Sequence, residues 1–316
     1  MICNKLLDKA DTYPLRGICM LMIIFHHAFN RYANIEFASL GDGLLVNPLY
    51  SIWNWGFLAT GVFFFLSGFG LYYSLSRNAP LQFDYLYNHL KKLFKPFIFL
   101  WIFVLCCFLV YAPESLKTSL FTEFLTLCSP GRDTWFFKVI IAAYIISFFS
   151  FKYIKSEKMR FLVIFACTFA YMAIMFKLGY GRWWFNSILN FPVGMLVARF
   201  YEKIDAIPDF LVVIVGLLFY FLFFRFLHYS FSDIIQSIGF SFVIVYAVKY
   251  IDIRSKYLYF VGVQSLAFYF LENPVRRFIC NPYVENYWLL VLSSIVVTSV
   301  IVLVYSKLDS RFSKKS

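Results

Sequence analysis

Leu15-Arg16-Gly17-Ile18-Cys19-Met20-Leu21-Met22-Ile23-Ile24-Phe25-His26-His27 is the first long apolar stretch of this chain, and it carries an arginine and a histidine eleven positions apart. Ionisable groups are costly at membrane depth, so a chain that keeps them there has a use for them. At 3.6 residues per turn, that spacing makes about three turns with roughly 20° left over, and a rise of about 16 Å. Arg16 and His27 therefore share one face of a helix, about half a bilayer apart. His26 points about 100° away from His27 and reads as a packing residue.

The composition says which solvent this helix sits in. Of the 316 residues, 61% are hydrophobic and 15% charged, against about 45–50% and 25% in soluble domains, and the mean hydropathy is +0.72. A helix crossing ~30 Å of hydrocarbon uses about 20 residues. Apolar runs bounded by charge or turn residues occur at Pro14–Arg31, Ile52–Ser74, Leu93–Tyr111, Thr134–Phe151, Phe161–Lys177, Trp184–Tyr201, Phe210–Arg225, Phe231–Lys249, Tyr257–Val275 and Trp288–Tyr305. The expected fold is all-α, a single polytopic integral membrane domain over residues 1–316 with about ten transmembrane helices and both termini cytoplasmic.

The charge distribution supports that orientation. With the N-terminus inside, twenty of the 29 Lys and Arg residues fall on the cytoplasmic side and eight outside, and Lys138 is left within a span. This is a positive-inside bias, so the net charge of +12 is explained by topology and not by nucleic acid. No small-residue cleavage site follows the first apolar run, which reads as a retained span. The seven cysteines, Cys3, Cys19, Cys106, Cys107, Cys128, Cys167 and Cys280, have neither metal-ligand spacing nor the pattern of a disulfide framework; only Cys128 and Cys280 fall in outer loops. Trp53, Trp55, Trp183, Trp184, Tyr257, Tyr259, Tyr287 and Trp288 lie near span ends, where aromatic rings suit the headgroup region.

Several residues are candidates for chemistry, each with a plainer reading beside it. Arg16 either snorkels to the inner headgroups or holds an anion at the inner mouth, and His27 either bonds a neighbouring helix or acts as a base deeper in. Ser67, with Gly61, Gly68 and Gly70, suits close helix packing. Lys138 either snorkels or neutralises an oxyanion. Glu272 stands four residues before Arg276, which favours an ordinary ion pair, with a sharper role in orienting His27.

The order of motifs points to a family. Leu15-Arg16-Gly17 through His27, followed by Phe63-Phe64-Phe65-Leu66-Ser67-Gly68-Phe69, resembles the opening signature of the membrane-bound acyltransferase 3 family, an Arg, ten residues and a His, then an aromatic Ser-Gly-Phe motif. His89-Leu90-Lys91-Lys92-Leu93-Phe94-Lys95-Pro96 is similar to its basic run before a proline, and Thr134-Trp135-Phe136-Phe137-Lys138 with Tyr144 to its Trp-Phe span. Trp184-Phe185-Asn186 with Phe191-Pro192-Val193-Gly194-Met195, and Gly262-Val263-Gln264-Ser265-Leu266-Ala267-Phe268-Tyr269, resemble two later elements. Many members have a His three residues after that tyrosine; here the residue is Glu272, which puts a second catalytic histidine in doubt.

The resemblance implies a bacterial inner-membrane O-acyltransferase that moves an acyl group, commonly acetyl, from acetyl-coenzyme A to a hydroxyl of a cell-surface carbohydrate or its lipid-linked precursor, with no tightly bound cofactor. Several relatives carry an extra extracytoplasmic domain; this chain stops soon after its last span, so it is expected to act alone or with a separate protein, and self-association is left open. On this view His27 and Arg16 are catalytic, Arg16 with Lys91, Lys92 and Lys95 receives the anionic coenzyme, and Ser67, Trp135, Lys138, Trp184, Asn186, Tyr269 and Glu272 touch substrate, Trp184 and Asn186 at the outer mouth. An acyl-His27 intermediate is the covalent variant. The competing reading is a transporter or flippase of an anionic lipid-linked glycan, disfavoured by the absence of inverted repeats or paired broken helices in the sequence pattern.

Overall fold

The computed structural model of the chain describes residues 9–36, 56–78, 80–111, 135–226, 229–248 and 250–313, and most of these are helical, with no strand among them. Among the described residues twelve α-helices follow in order: α1 Lys9–Glu36, α2 Gly56–Arg77, α3 Phe83–Tyr111, α4 Trp135–Tyr153, α5 Glu157–Lys177, α6 Asn190–Arg199, α7 Tyr201–Asp205, α8 Asp209–Phe226, α9 Tyr229–Ala247, α10 Lys256–Val263, α11 Ser265–Pro274 and α12 Tyr287–Ser313. Among the described residues, α2, α4, α5 and the stretch Tyr287–Ser310 of α12 are long and apolar enough to cross a bilayer by themselves. Cys3, Cys128, Trp53 and Trp55 lie outside the described residues.

α2 is the centre of the bundle. Its side chains enter both buried clusters, one shared with α1, α9, α11 and α12, the other with α4, α5 and α6. In its most apolar stretch 67% of residues are buried, against 11% in α5, so α5 shows its apolar side chains to lipid. α8 does the same, and it packs chiefly on α9.

Two of the expected spans are broken, against the expectation of continuous helices. Residues of the sixth form a 3₁₀ turn, Arg182–Trp184, then irregular turns, and only Asn190–Arg199 is α-helical. Ten residues rise about 15 Å, half the hydrocarbon thickness. Pro192 is the reason that helix starts late: inside a longer helix its ring would meet the carbonyl of the residue four back, whereas in the first turn its missing N–H costs nothing. The irregular stretch is tolerated because it is buried in protein, where side chains supply partners for freed polar groups. Tyr171 donates to the Trp184 carbonyl at 3.0 Å, and Asn190 Nδ2 donates to the Ser187 carbonyl at 3.1 Å and the Ser237 hydroxyl at 2.8 Å.

The ninth expected span breaks at Gln264, whose side chain donates to Ser306 of α12 at 3.3 Å. Beyond the break α11 ends at Pro274, which removes a donor from the helical ladder, and a π turn, Val275–Cys280, follows. α3 departs in the other direction. It begins ten residues before the expected Leu93, because its first part is helical without being apolar.

Candidate functional site

α1 is placed by contact between backbones. Gly17 lies against the Leu258 carbonyl of α10, and Gly262 of α10 lies against the Tyr13 carbonyl; a Cβ on either glycine would overlap that oxygen. The Leu-Arg-Gly segment and the Gly-x-x-Ser-Leu segment thus interlock. The same device joins α2 to α6, where Gly68 meets the Phe191 carbonyl and Gly194 meets the Phe65 carbonyl. Four of the motif segments read from the sequence are two reciprocal crossings, which explains their small residues by close helix approach.

Elsewhere the helices stand apart and leave a partly open cavity of about 130 Å³. α1 contributes Arg16, Met20 and Ile23; α2 contributes Thr60, Phe63 and Ser67; Phe136 and Tyr144 come from α4, Leu93 from α3, and Ser265 and Tyr269 from α11. Tyr144 and Ser67 both face the cavity from opposite helices. Arg16 has its Nε buried without a hydrogen-bond partner, its guanidinium 5.9 Å from the Tyr13 ring centre, and no carboxylate within ion-pair distance among the described residues. A half-buried cation without a counter-ion is incompletely stabilised, so this cavity favours an anion at its Arg16 end.

His27 continues the Arg16–Met20–Ile23 stripe one turn further along α1, and on α11 Glu272 continues the Ser265–Tyr269 stripe in the same way. The two stripes meet at their ends, where His27 Nδ1 pairs with Glu272 Oε1. The Glu272 side chain is 1% exposed and that of His27 34%. A carboxylate accepts, so the contact fits a ring that carries a hydrogen on Nδ1 and turns Nε2 away from Glu272. Glu272 Oε2 faces Arg276 Nε at 3.9 Å, so the ordinary i,i+4 pair and the contact with His27 coexist.

A family model described as an acyltransferase domain, that of acyltransferase 3, matches residues 15–307. The chain belongs to the acyltransferase 3 family. Comparison with curated proteins and with solved structures gives no match. Membership, together with the apolar helices, makes the protein a membrane acyltransferase, and it supplies the ground for preferring an enzyme to a transporter that the broken helices take away.

In this acyltransferase the remaining predicted residues are scattered. Leu93 is the α3 residue that reaches the cavity, and Lys91 and Lys95, each two positions away, lie about 200° around the helix. Both are exposed; Lys95 pairs with Asp309 of α12 and Lys91 sits 6.0 Å from the Tyr87 ring centre. Lys92 is exposed as well, so the three lysines do not join Arg16 at the cavity. Lys138 is half-buried one turn beyond Trp135 and does not line the cavity either. Trp184 and Asn186 are not at an open mouth: each is 4% exposed. The Trp184 ring lies 6.0 Å from that of Trp135, and Asn186 accepts from Ser187 at 3.3 Å. The glycine at position 56 backs onto the His26 ring, a packing contact. Cys280 is a free thiol, so no bridge to it exists.

Thr60, Phe63 and Ser265 were not singled out from the sequence as site residues. A signal was present: Thr60 and Ser67 are seven residues apart on α2, and Ser265, Tyr269 and Glu272 follow at spacings of four and three, each set on one helical face.

Proposed function

We propose that this membrane acyltransferase is an O-acyltransferase that moves an acyl group, most simply acetyl, from acyl-coenzyme A to a hydroxyl of a cell-surface carbohydrate or its lipid-linked precursor in a bacterial cytoplasmic membrane. The observation that carries the reading is the single stripe of α1 that holds Arg16, unpaired, in the cavity wall and His27 one turn beyond it, oriented by Glu272. The cavity, about 130 Å³ and lined mostly by apolar side chains with Arg16, Ser67, Thr60 and Tyr144 among them, suits the slender arm of the donor. The nucleotide of the donor stays outside while its slender arm enters, and Arg16 grips phosphate through parallel donors. The rise of about 16 Å from Arg16 to His27 brings the thioester toward the imidazole.

His27 Nε2 then takes the proton of the acceptor hydroxyl as that oxygen bonds to the thioester carbonyl carbon. The tetrahedral species collapses with cleavage of the C–S bond, the ester leaves, and the coenzyme thiolate recovers the proton from the imidazolium. Glu272 holds the ring through this cycle. Ser67 and Tyr269, on the cavity wall, contact the arm.

The test is transfer of labelled acetyl from acetyl-coenzyme A in membranes containing the protein. Transfer to carbohydrate that is abolished by His27→Ala and by Arg16→Ala, and little changed by His26→Ala, is the expected result. No transfer by the unsubstituted protein, or a His26 effect larger than the His27 effect, overturns the reading. Label trapped on the protein when acceptor is withheld selects the acyl-His27 route over direct transfer.

A further inference from the structure

We infer that Arg276 is a positioning residue of the site: by balancing the buried charge of Glu272, it keeps the Nε2 lone pair of His27 free. The inference rests on the proposed role of His27 and adds a group that touches neither substrate nor imidazole. Glu272 Oε2 and Arg276 Nε are both buried without a hydrogen-bond partner, and they face one another at 3.9 Å. Their side chains are 1% and 13% exposed, too little for water to screen the pair. Arg276 is itself anchored, because its Nη2 donates to Asn273 Oδ1 at 2.5 Å, at the start of the π turn Val275–Cys280. Such turns are enriched at functional sites.

α1, α3, α10 and α12 all pack on α11, yet among the described residues only His27, from α1, and Arg276 come within ion-pair distance of Glu272. Arg276 is therefore the cation that lets the carboxylate stay ionised beside a neutral imidazole. Without it, the buried negative charge is relieved most cheaply by one added proton on the Glu272–His27 pair. If that proton lies on the ring, both nitrogens carry hydrogen. If it lies on Glu272, the carboxyl donates to Nδ1 and the ring hydrogen moves to Nε2. Either way Nε2 loses its lone pair, and His27 can no longer accept a proton.

The experiment uses the full chain in detergent or nanodiscs with ¹⁵N-labelled histidine, with the His27 signals assigned by their loss in His27→Gln. At neutral pH the unsubstituted protein should show a bare Nε2, and Arg276→Gln a protonated one. Arg276→Lys, which keeps the charge, should restore the bare nitrogen in part. Acyl transfer gives the second readout. Arg276→Gln should lose at least about tenfold, ~1.4 kcal/mol, Arg276→Lys should recover part of this, and Glu272→Gln should be no worse when Arg276→Gln is added, since a neutral amide needs no counter-ion. An unchanged His27 signal in Arg276→Gln, or losses that multiply in the double variant, would overturn the inference. Absence of transfer in the unsubstituted protein would sink the acyltransfer reading alone, because the nitrogen signals still decide the role of Arg276. Should Arg276→Gln not fold, the Arg276→Lys signals decide it: a His27 Nε2 protonated in part supports charge balance, and a signal either identical to that of the unsubstituted protein or fully protonated counts against it.

Discussion

The two faces of α2 are built in opposite ways. Gly61, Phe65 and Gly68 turn toward α6 and α9, where Gly68 lies against the Phe191 carbonyl and Gly61 against the Ser237 and Asn190 side chains, and a Cβ on either glycine has no space. Thr60, Phe63 and Ser67, roughly 130° around the helix, turn toward α1, α4 and α11 and leave a cavity. On the closed face the Asn190 amide donates to Ser237 across the helices, whereas on the open face a cationic group, the Arg16 Nε, is left without a partner. Membrane helices gain little from burying apolar surface against each other, so closeness has to come from small residues. Where these are missing, side chains hold the helices apart, and the gap is where a ligand fits.

The contrast breaks first if glycines on the closed face are not needed. Gly68→Val or Gly194→Val places methyl groups into a carbonyl that has no room to shift, a clash expected to cost about 3 kcal/mol or more, so folded protein should disappear from the membrane fraction. Gly70→Ala, where a Cβ meets nothing within 4 Å, should leave yield and thermal unfolding at or above the starting value. Comparable yields for all three would show that the crossings are loose.

The open face is sharpened by filling it. Ser67→Leu adds bulk to the cavity wall and should reduce acyl transfer by more than about tenfold, ~1.4 kcal/mol, with little change in unfolding temperature, while Ser67→Ala should stay within about threefold, ~0.65 kcal/mol. Full activity of Ser67→Leu would mean the arm of the donor takes another route. Asn190→Leu gives a smaller effect of the other kind: the loss of its interhelical hydrogen bond should cost about 0.6–1.7 kcal/mol of stability, with transfer per folded molecule unchanged. Smallest of all, Lys91→Ala should move the Michaelis constant for the donor by less than about twofold, ~0.4 kcal/mol, since Lys91 sits on the far side of α3 from Leu93. A large increase in that constant would return the basic run to the donor site.

Much of the site was legible because helical periodicity is local. The spacing of Arg16 and His27 put them on one stripe, and the structure keeps that stripe with Met20 and Ile23 between them. Glu272 stayed ambiguous between Arg276 and His27, and it touches both. The lysines were harder to place. A run of cations in sequence does not say which side of its helix faces inward, and here Leu93 occupies that side. Trp184 and Asn186 were read as lining an outer mouth because aromatic and amide groups suit that depth, but a break ahead of Pro192 folds them into the bundle.

Composition and period by themselves determined an all-helical membrane chain with a cation and an imidazole on one helical face, because hydropathy and the 3.6-residue turn act within a segment. The tertiary structure alone decided where helices break, which glycines touch which carbonyls, and that a carboxylate 245 residues along the chain reaches His27. Those contacts depend on backbones meeting at sub-ångström tolerance across the bundle, and no property of one segment fixes the face its neighbour will present.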